Sequence, residues 1–275
     1  MNLKVMKKII FATDYSEDSV AALKYAVYMG KMLKTDVIAL HIFSPSEEGE
    51  KMECIKKNQE KLLGFCRDHL KEQVSDCEIS VAAVKGGNVP RTILDFVRDL
   101  NVQMIIMGAG DTGTIKDLLL GSTTKEMTEI SPFPILAIPP DQSPDKMDEI
   151  LFASTFEDPD VGNLLDLTRM FSPLNPRINV VHITHKDNGT AEQALEEFKL
   201  KVEKKVSYNK LSFKTIHSAH VYETLQKTIA ETKPDMVVIS DYHQKSEINK
   251  VIKREKVKKM QSYTRVPLLT IPAAV

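Results

Sequence analysis

KKIIFATDYSED, residues 7–18, returns as DEILFASTFEDP at residues 148–159. Ile9 answers Ile150, Phe11 answers Phe152 and Ala12 answers Ala153, an offset of 141. The same offset lays DVIALHIF (36–43) on RINVVHIT (177–184), with His41 on His182. Further along, VQMIIMG (102–108) matches PDMVVIS (234–240) at an offset of 132, and FPILAIP (133–139) matches VPLLTIP (266–272) at 133. Four apolar runs recurring in one order make the chain a duplication, and internal repeats decide fold before any local feature does.

Each apolar run has strand length and lacks strict alternation, as strands buried on both faces do. Helical patterns separate them. SVAALKYAVYMGKML places Ala21, Ala22, Tyr25, Ala26 and Met29 near helical spacing. Ser16, Ser19, Glu17 and Asp18 before it suit a helix start. A charged helix is predicted from about Glu47 to Gln73, then EISVAAVKG as a strand, RTILDFVRDL as a helix and KDLLLGSTTKEMTEI as another. The expectation is an α/β fold with two tandem Rossmann-like domains. Each is a mostly parallel five-stranded sheet with helices on both faces. The domains span residues 1–142 and 143–275, divided at the Pro-, Asp- and Ser-rich PPDQSPDK (139–146).

Composition narrows the functional classes. With a net charge of -1 over 275 residues, the chain has no overall field toward nucleic acid or membrane. No apolar run approaches membrane-span length, and the first residues lack the apolar core of a signal peptide, which points to the cytoplasm. Cys54, Cys66 and Cys77 are odd in number and widely spaced, so neither a metal site nor a disulfide framework follows, and Cys54 and Cys66 read as small apolar residues on one helix. HITH (182–185) alone supplies too few zinc ligands. His41 and His182 read as strand-end residues packing against the twin domain. Asp95 and Asp99 read as an exposed helix face, Glu47, Glu48 and Glu50 as a solvated element, and the basic segment 245–259 as a solvated helix.

One stretch carries chemistry: GAGDTGTIKDLLLGSTTKEM, residues 108–127. Glycines let backbone approach a phosphate, and a helix start presents free N–H groups to it. With FATDYSEDSVAALKYA, VIALHIF and PFPILAIP, this stretch resembles the universal stress protein family in its tandem form, with an adenine nucleotide alpha hydrolase-like fold. LLLGSTTKEM is the most specific carrier. Some members of that family bind ATP through a loop reading G-x2-G-x9-G-S/T. Gly108 takes the first glycine and Gly121 with Ser122 the last pair, but the middle glycine is replaced by Asp111. Asp111 could repel phosphate, point outward or hold a Mg²⁺ shared with it. Gly110 and Gly113 lie out of register but keep the loop flexible, and Thr123 adds a hydroxyl.

The resemblance also implies roles at the nucleoside end. Asp14 takes the place of the family's acidic residue, preceded by Ala12 and Thr13. Ile42 takes the place of an apolar residue whose backbone meets adenine. The plain alternatives are a helix-start acid for Asp14 and core packing for Ile42. In the second half Asp14 becomes Thr155, Gly108 becomes Ser240, and Gly121 and Ser122 become Arg254 and Glu255, so no nucleotide is expected there.

The functional expectation is a stress protein whose N-terminal domain binds ATP or a related adenine nucleotide, with Mg²⁺ as a possible companion, as a regulatory ligand. No catalytic signature is present, so a dedicated enzyme is not expected, though slow ATP hydrolysis stays open. The alternative is a nucleotide-free module for protein partners. No nucleic acid or membrane partner is expected. PILAIP and PLLTIP are strands that could pair within the chain, giving an internal pseudo-dimer and covering exposed edges, with homodimerisation open.

Overall fold

The computed structural model describes residues 7–44, 51–70, 79–110, 121–140, 142–185, 188–241 and 266–272. Described residues up to Pro144 form one compact unit, and those from Asp145 on form a second.

The first unit runs β1 (Lys8–Thr13), α1 (Glu17–Leu33), β2 (Asp36–Phe43), α2 (Lys51–Leu70), β3 (Ile79–Lys85), α3 (Val89–Val97), β4 (Val102–Gly108), α4 (Ser122–Ile130) and β5 (Ile135–Ile138). The strand order is β3-β2-β1-β4-β5, and neighbours pair in parallel. The chain steps outward from β1 to β3, then crosses back to β4 and steps outward the other way. Right-handed crossovers therefore place α1 and α2 on one face and α3 and α4 on the other. The strands are apolar on both sides for that reason. On β1, Ile9 and Phe11 alternate with Ile10 and Ala12, all buried. Ile10 and Ala12 join Leu40, Ile93, Val97, Ile105, Met107, Met127 and Ile135 in one cluster beneath α3 and α4.

The second unit runs β6 (Glu149–Ala153), α5 (Asp158–Phe171), β7 (Arg177–Thr184), α6 (Asn188–Lys205), β8 (Leu211–His217), α7 (Val221–Thr232), β9 (Met236–Asp241) and β10 (Leu268–Pro272). Its order, β10-β9-β6-β7-β8, is also parallel throughout the pairings described. The sequence offsets survive as register. Ile9 pairs with Met104 as Ile150 pairs with Met236, and Ile105 pairs with Ile135 as Val237 pairs with Leu268. One equivalent contact has exchanged its charges. Lys8 meets Asp36 at 2.5 Å in the first unit, and Arg177 meets Glu149 at 2.6 Å in the second. Such partly exposed pairs contribute about 0–1 kcal/mol each, so their persistence reflects shared geometry rather than stability.

Helix ends differ in detail from the sequence expectation. α3 begins at Val89 behind Asn88, whose side chain accepts from the Arg91 amide, and it ends at Val97. Asp99 therefore lies beyond the helix, while Asp95 pairs with Arg98. The final helix of the first unit begins at Ser122, with Gly121 in the cap position. Residues 116–120, expected to be helical, lie outside the described residues, as do Glu47, Glu48, Glu50, Cys77 and the basic segment 245–259. Cys54 and Cys66 are buried on α2, and burial pushes the Cys66 thiol up to about 11, which keeps it an unreactive packing residue. Among the described residues no helix is long and apolar enough to cross a membrane.

Candidate functional site

In the first unit the strand order reverses at β1, and the carboxyl ends of β2, β1 and β4 lie side by side. Open parallel sheets place ligands at such a reversal. Register sets Thr13 level with His41, and Ala12 level with Met107, so Thr13, Ile42 and Gly108 all stand at this edge. Gly110, Gly121, Ser122 and Thr123 complete it from the β4–α4 connection. The structure thus brings together nine of the ten residues singled out by sequence; Gly113, with Asp111, lies outside the described residues.

Their side chains are not equivalent. Ala12 is a core residue, 7% exposed, and only its backbone can serve a ligand. Ile42 is half-buried and packs against the cluster beneath α3 and α4, so its side chain does core work. Thr13 is buried; its hydroxyl accepts from the Tyr15 amide at 3.0 Å. Asp14 is exposed and its Oδ1 accepts from the Ser16 amide and the Ser19 hydroxyl, both at 3.0 Å. Ser16 occupies the cap position of α1 without using its side chain as a cap, so Asp14 organises the helix start instead. Partial burial pushes the Asp14 carboxyl up. Hydrogen bonds from the Ser16 hydroxyl and amide and from the Ser19 hydroxyl outweigh this and hold it below the ordinary aspartate value.

A depressed carboxyl stabilises the folded state in its ionised form, so that contribution is complete at neutral pH and fades as pH falls through the depressed value. In a carboxyl-detected NMR titration, Asp14 should show a midpoint below that of a model aspartate, and Ser19→Ala should move it upward. An unmoved midpoint in that variant would refute the assigned donor.

The β4–α4 connection is closed at its base. The Gly121 amide donates to the Ala109 carbonyl at 2.5 Å, and the Ala109 amide donates to the Ile138 carbonyl at 2.8 Å. Gly110 takes φ +89, and a Cβ built on it falls 2.7 Å from Gly121 Cα and 2.8 Å from Gly121 N. Gly108 is equally constrained: its Cβ would lie 2.9 Å from Asp18 Cβ, where the first turn of α1 crosses the end of β4. Gly110 is required by contact between backbones, and Gly108 by the close approach of Asp18. The cap residue Gly121 has no side chain to offer α4, and the first intrahelical bond runs from the Lys125 amide to the Gly121 carbonyl. The amides of Ser122, Thr123 and Thr124 thus have no partner within the helix.

Sequence reading missed one device. Tyr15 adopts φ 67, and its ring lies 4.3 Å from that of His41, whose Nδ1–H donates to the Thr13 carbonyl at 2.9 Å. Phe65 meets Tyr15 edge-on at 5.4 Å, and the Lys61 ammonium sits 4.2 Å above the ring. The second unit repeats this. Phe156 has φ 61, its ring lies 4.6 Å from that of His182, and His182 Nδ1–H donates to the Ser154 carbonyl at 2.9 Å. Each histidine therefore holds the loop that follows the first strand of its own unit. The paired spacing of His41 with Tyr15 and of His182 with Phe156 was a signal available in the sequence. Among the described residues no three His, Cys, Asp or Glu side chains gather as a metal site.

The second unit also inverts a polar pair. Asp160 is wholly buried, and its Oδ2 accepts from the Ser154 hydroxyl at 2.6 Å, the Thr155 amide at 2.7 Å and the Thr155 hydroxyl at 3.2 Å. Asp160 stands where the first unit has Ser19, and Thr155 where it has Asp14. The hydroxyl–carboxyl contact is kept, but the carboxyl has moved from the loop into the core. Ser240 fills the place of Gly108.

A parallel sheet wound both ways from its first strand, with a glycine-closed loop at the switch point, defines a doubly wound α/β unit. Residues 6–139 match the family model described as "Universal stress protein family", and this part of the chain belongs to that family. Universal stress protein MJ0577 of Methanocaldococcus jannaschii is 27% identical over 154 residues, covering 48% of this chain and 94% of that protein. Universal stress protein YxiE of Bacillus subtilis is 21% identical over 151 residues, covering 49% and 99%. A crystal structure of a universal stress protein from Archaeoglobus fulgidus shares the fold over 96% of this chain and 98% of its own, with a TM-score of 0.68 at 15% identity.

Proposed function

We propose that the N-terminal unit binds an adenine nucleotide, ATP with Mg²⁺ as its companion, and uses it as a regulatory ligand in a stress response. The observation that carries this is the close approach of Gly110 and Gly121, which brings the start of α4, whose cap residue has no side chain, against the end of β4. That arrangement supplies N–H donors and the positive end of a helix to a phosphate. Asp14 lies across the same edge, where its carboxyl can accept from ribose hydroxyls. The resemblance to ATP-binding members of the family names the nucleotide.

The test is calorimetric titration of the full chain with MgATP. One site per chain is expected. Gly121→Val should abolish binding with little change in the circular dichroism spectrum, because its Cβ would lie 3.2 Å from Gly110 Cα and the added methyls would turn the start of α4 away from the end of β4. A wild-type chain that ignores MgATP overturns the reading. Unchanged affinity in Gly121→Val shows that the cradle lies elsewhere.

A second reading rests on the other half. The buried Asp160 and Ser240 leave the equivalent edge of the second unit without the glycine or the exposed carboxyl of the first. On this reading that unit binds no nucleotide in the manner of the first.

A further inference from the structure

Two hydrogen bonds tie the end of β4 to the start of α4 across the loop. One is the Gly121 amide on the Ala109 carbonyl. The other comes from a residue outside the glycine pattern: the Thr124 hydroxyl donates to the Gly108 carbonyl at 2.9 Å. Thr124 is 4% exposed, so it is not itself a ligand group. It holds the strand's last carbonyl from the first turn of the helix, one turn below the cap.

We infer that Thr124 is a positioning residue for the nucleotide site: its bond to Gly108 fixes the distance and direction at which the amides of α4 face the carboxyl end of β4. This rests on the nucleotide reading above. Two observations support it beyond the bond itself. Gly108 cannot shift toward α1 to compensate, because Asp18 already fills that side. The repeat provides a natural contrast as well: at the offset that turns Gly121 into Arg254 and Ser122 into Glu255, Thr124 becomes Val257, which has no hydroxyl to donate. The half that lost the glycines lost this donor with them. The Gly108 carbonyl and the hydroxyl satisfy each other in a partly buried setting, so removing the hydroxyl takes from the carbonyl the donor it has there.

The experiment compares wild type, Thr124→Val and Thr124→Ser in the full chain. Valine keeps the shape and removes the donor, whereas serine keeps the donor and removes a methyl. Affinity for MgATP is measured by calorimetry, and amide exchange of Gly121 and Ala109 by NMR. The expected result is an affinity loss of about tenfold or more in Thr124→Val, the scale seen when an outer partner of a ligand-binding group is removed. Faster exchange at Gly121 should accompany it, and Thr124→Ser should restore both. Wild-type binding with unchanged affinity in Thr124→Val overturns this inference alone. A loss that serine fails to rescue also overturns it, because packing rather than the hydroxyl would then be responsible. A wild-type chain that does not bind MgATP overturns the nucleotide reading and this inference together.

Discussion

Gly110→Ala should lower the melting temperature of the N-terminal unit by roughly 8 °C and abolish nucleotide binding. The backbone at φ +89 is a region that L-residues enter at about 1–2 kcal/mol. The added Cβ would also sit 2.7 Å from Gly121 Cα, and overpacking of that kind costs about 1–3 kcal/mol. The atoms it meets are backbone, so no rotamer change relieves the clash. Either Gly121 moves, which turns the start of α4, or the strand end unpairs from it. The comparison with Gly121→Ala is informative. Gly121 has φ -54, and its added Cβ would lie 3.2 Å from Gly110 Cα, so alanine is tight there but not strained by its backbone. Scanning calorimetry of the two variants should therefore rank Gly110→Ala well below Gly121→Ala. Equal melting temperatures would show that the contact between the two glycines does not hold the loop.

Asp160→Ala should destabilise the C-terminal unit by about 3 kcal/mol, a sizeable part of a domain's total stability. Three donors converge on one oxygen of this carboxyl, and the Ser154 hydroxyl among them is buried. Its other oxygen, Oδ1, is buried with no partner among the described residues, so the wild-type arrangement already carries a desolvation cost that alanine would relieve. The loss of three bonds, one from the amide that shapes the turn after β6, outweighs it. Asp160→Asn, which keeps an acceptor, should fall between the two. Denaturant unfolding followed by probes in each unit is the right measurement, because a chain with two units need not unfold in one step. A variant within about 1 kcal/mol of wild type would mean that Ser154 and Thr155 find other partners at little cost.

The strands, their order of appearance and the duplication were legible because a strand buried on both faces must be continuously apolar. Ile9 to Ala12 and Ile150 to Ala153 say so in both halves. Register followed from the same runs, since the offsets of the repeat reappear as pairings. The edge carrying Thr13, Asp14, Gly108 and Gly121 was legible too, because parallel sheets leave only their carboxyl ends for ligands. Ala12 and Ile42 were named as site residues, yet the structure uses their side chains as core. A residue at the rim of a sheet can present its backbone to one neighbour and its side chain to another, and spacing along the chain does not separate the two. The backbone of Tyr15 was not legible from its neighbours in sequence, and only the repeated spacing to the histidine pointed to it. A left-handed backbone at a tyrosine runs against local preference and is held by His41, which lies on the next strand. Asp160 was hidden because Asp14 drew attention to the loop, and the carboxyl in the second half had moved to the position of Ser19.

The left-handed aromatic and its histidine persist in both halves, whereas the glycines and Thr124 occur in one. The two features therefore report different histories. The aromatic–histidine pair marks descent of the architecture, and the glycine contact marks the half for which a nucleotide is proposed. On the proposed reading, a duplicated chain with one copy of each state divides its labour: one half keeps a cradle for a small ligand, and the other keeps the clasp without the cradle.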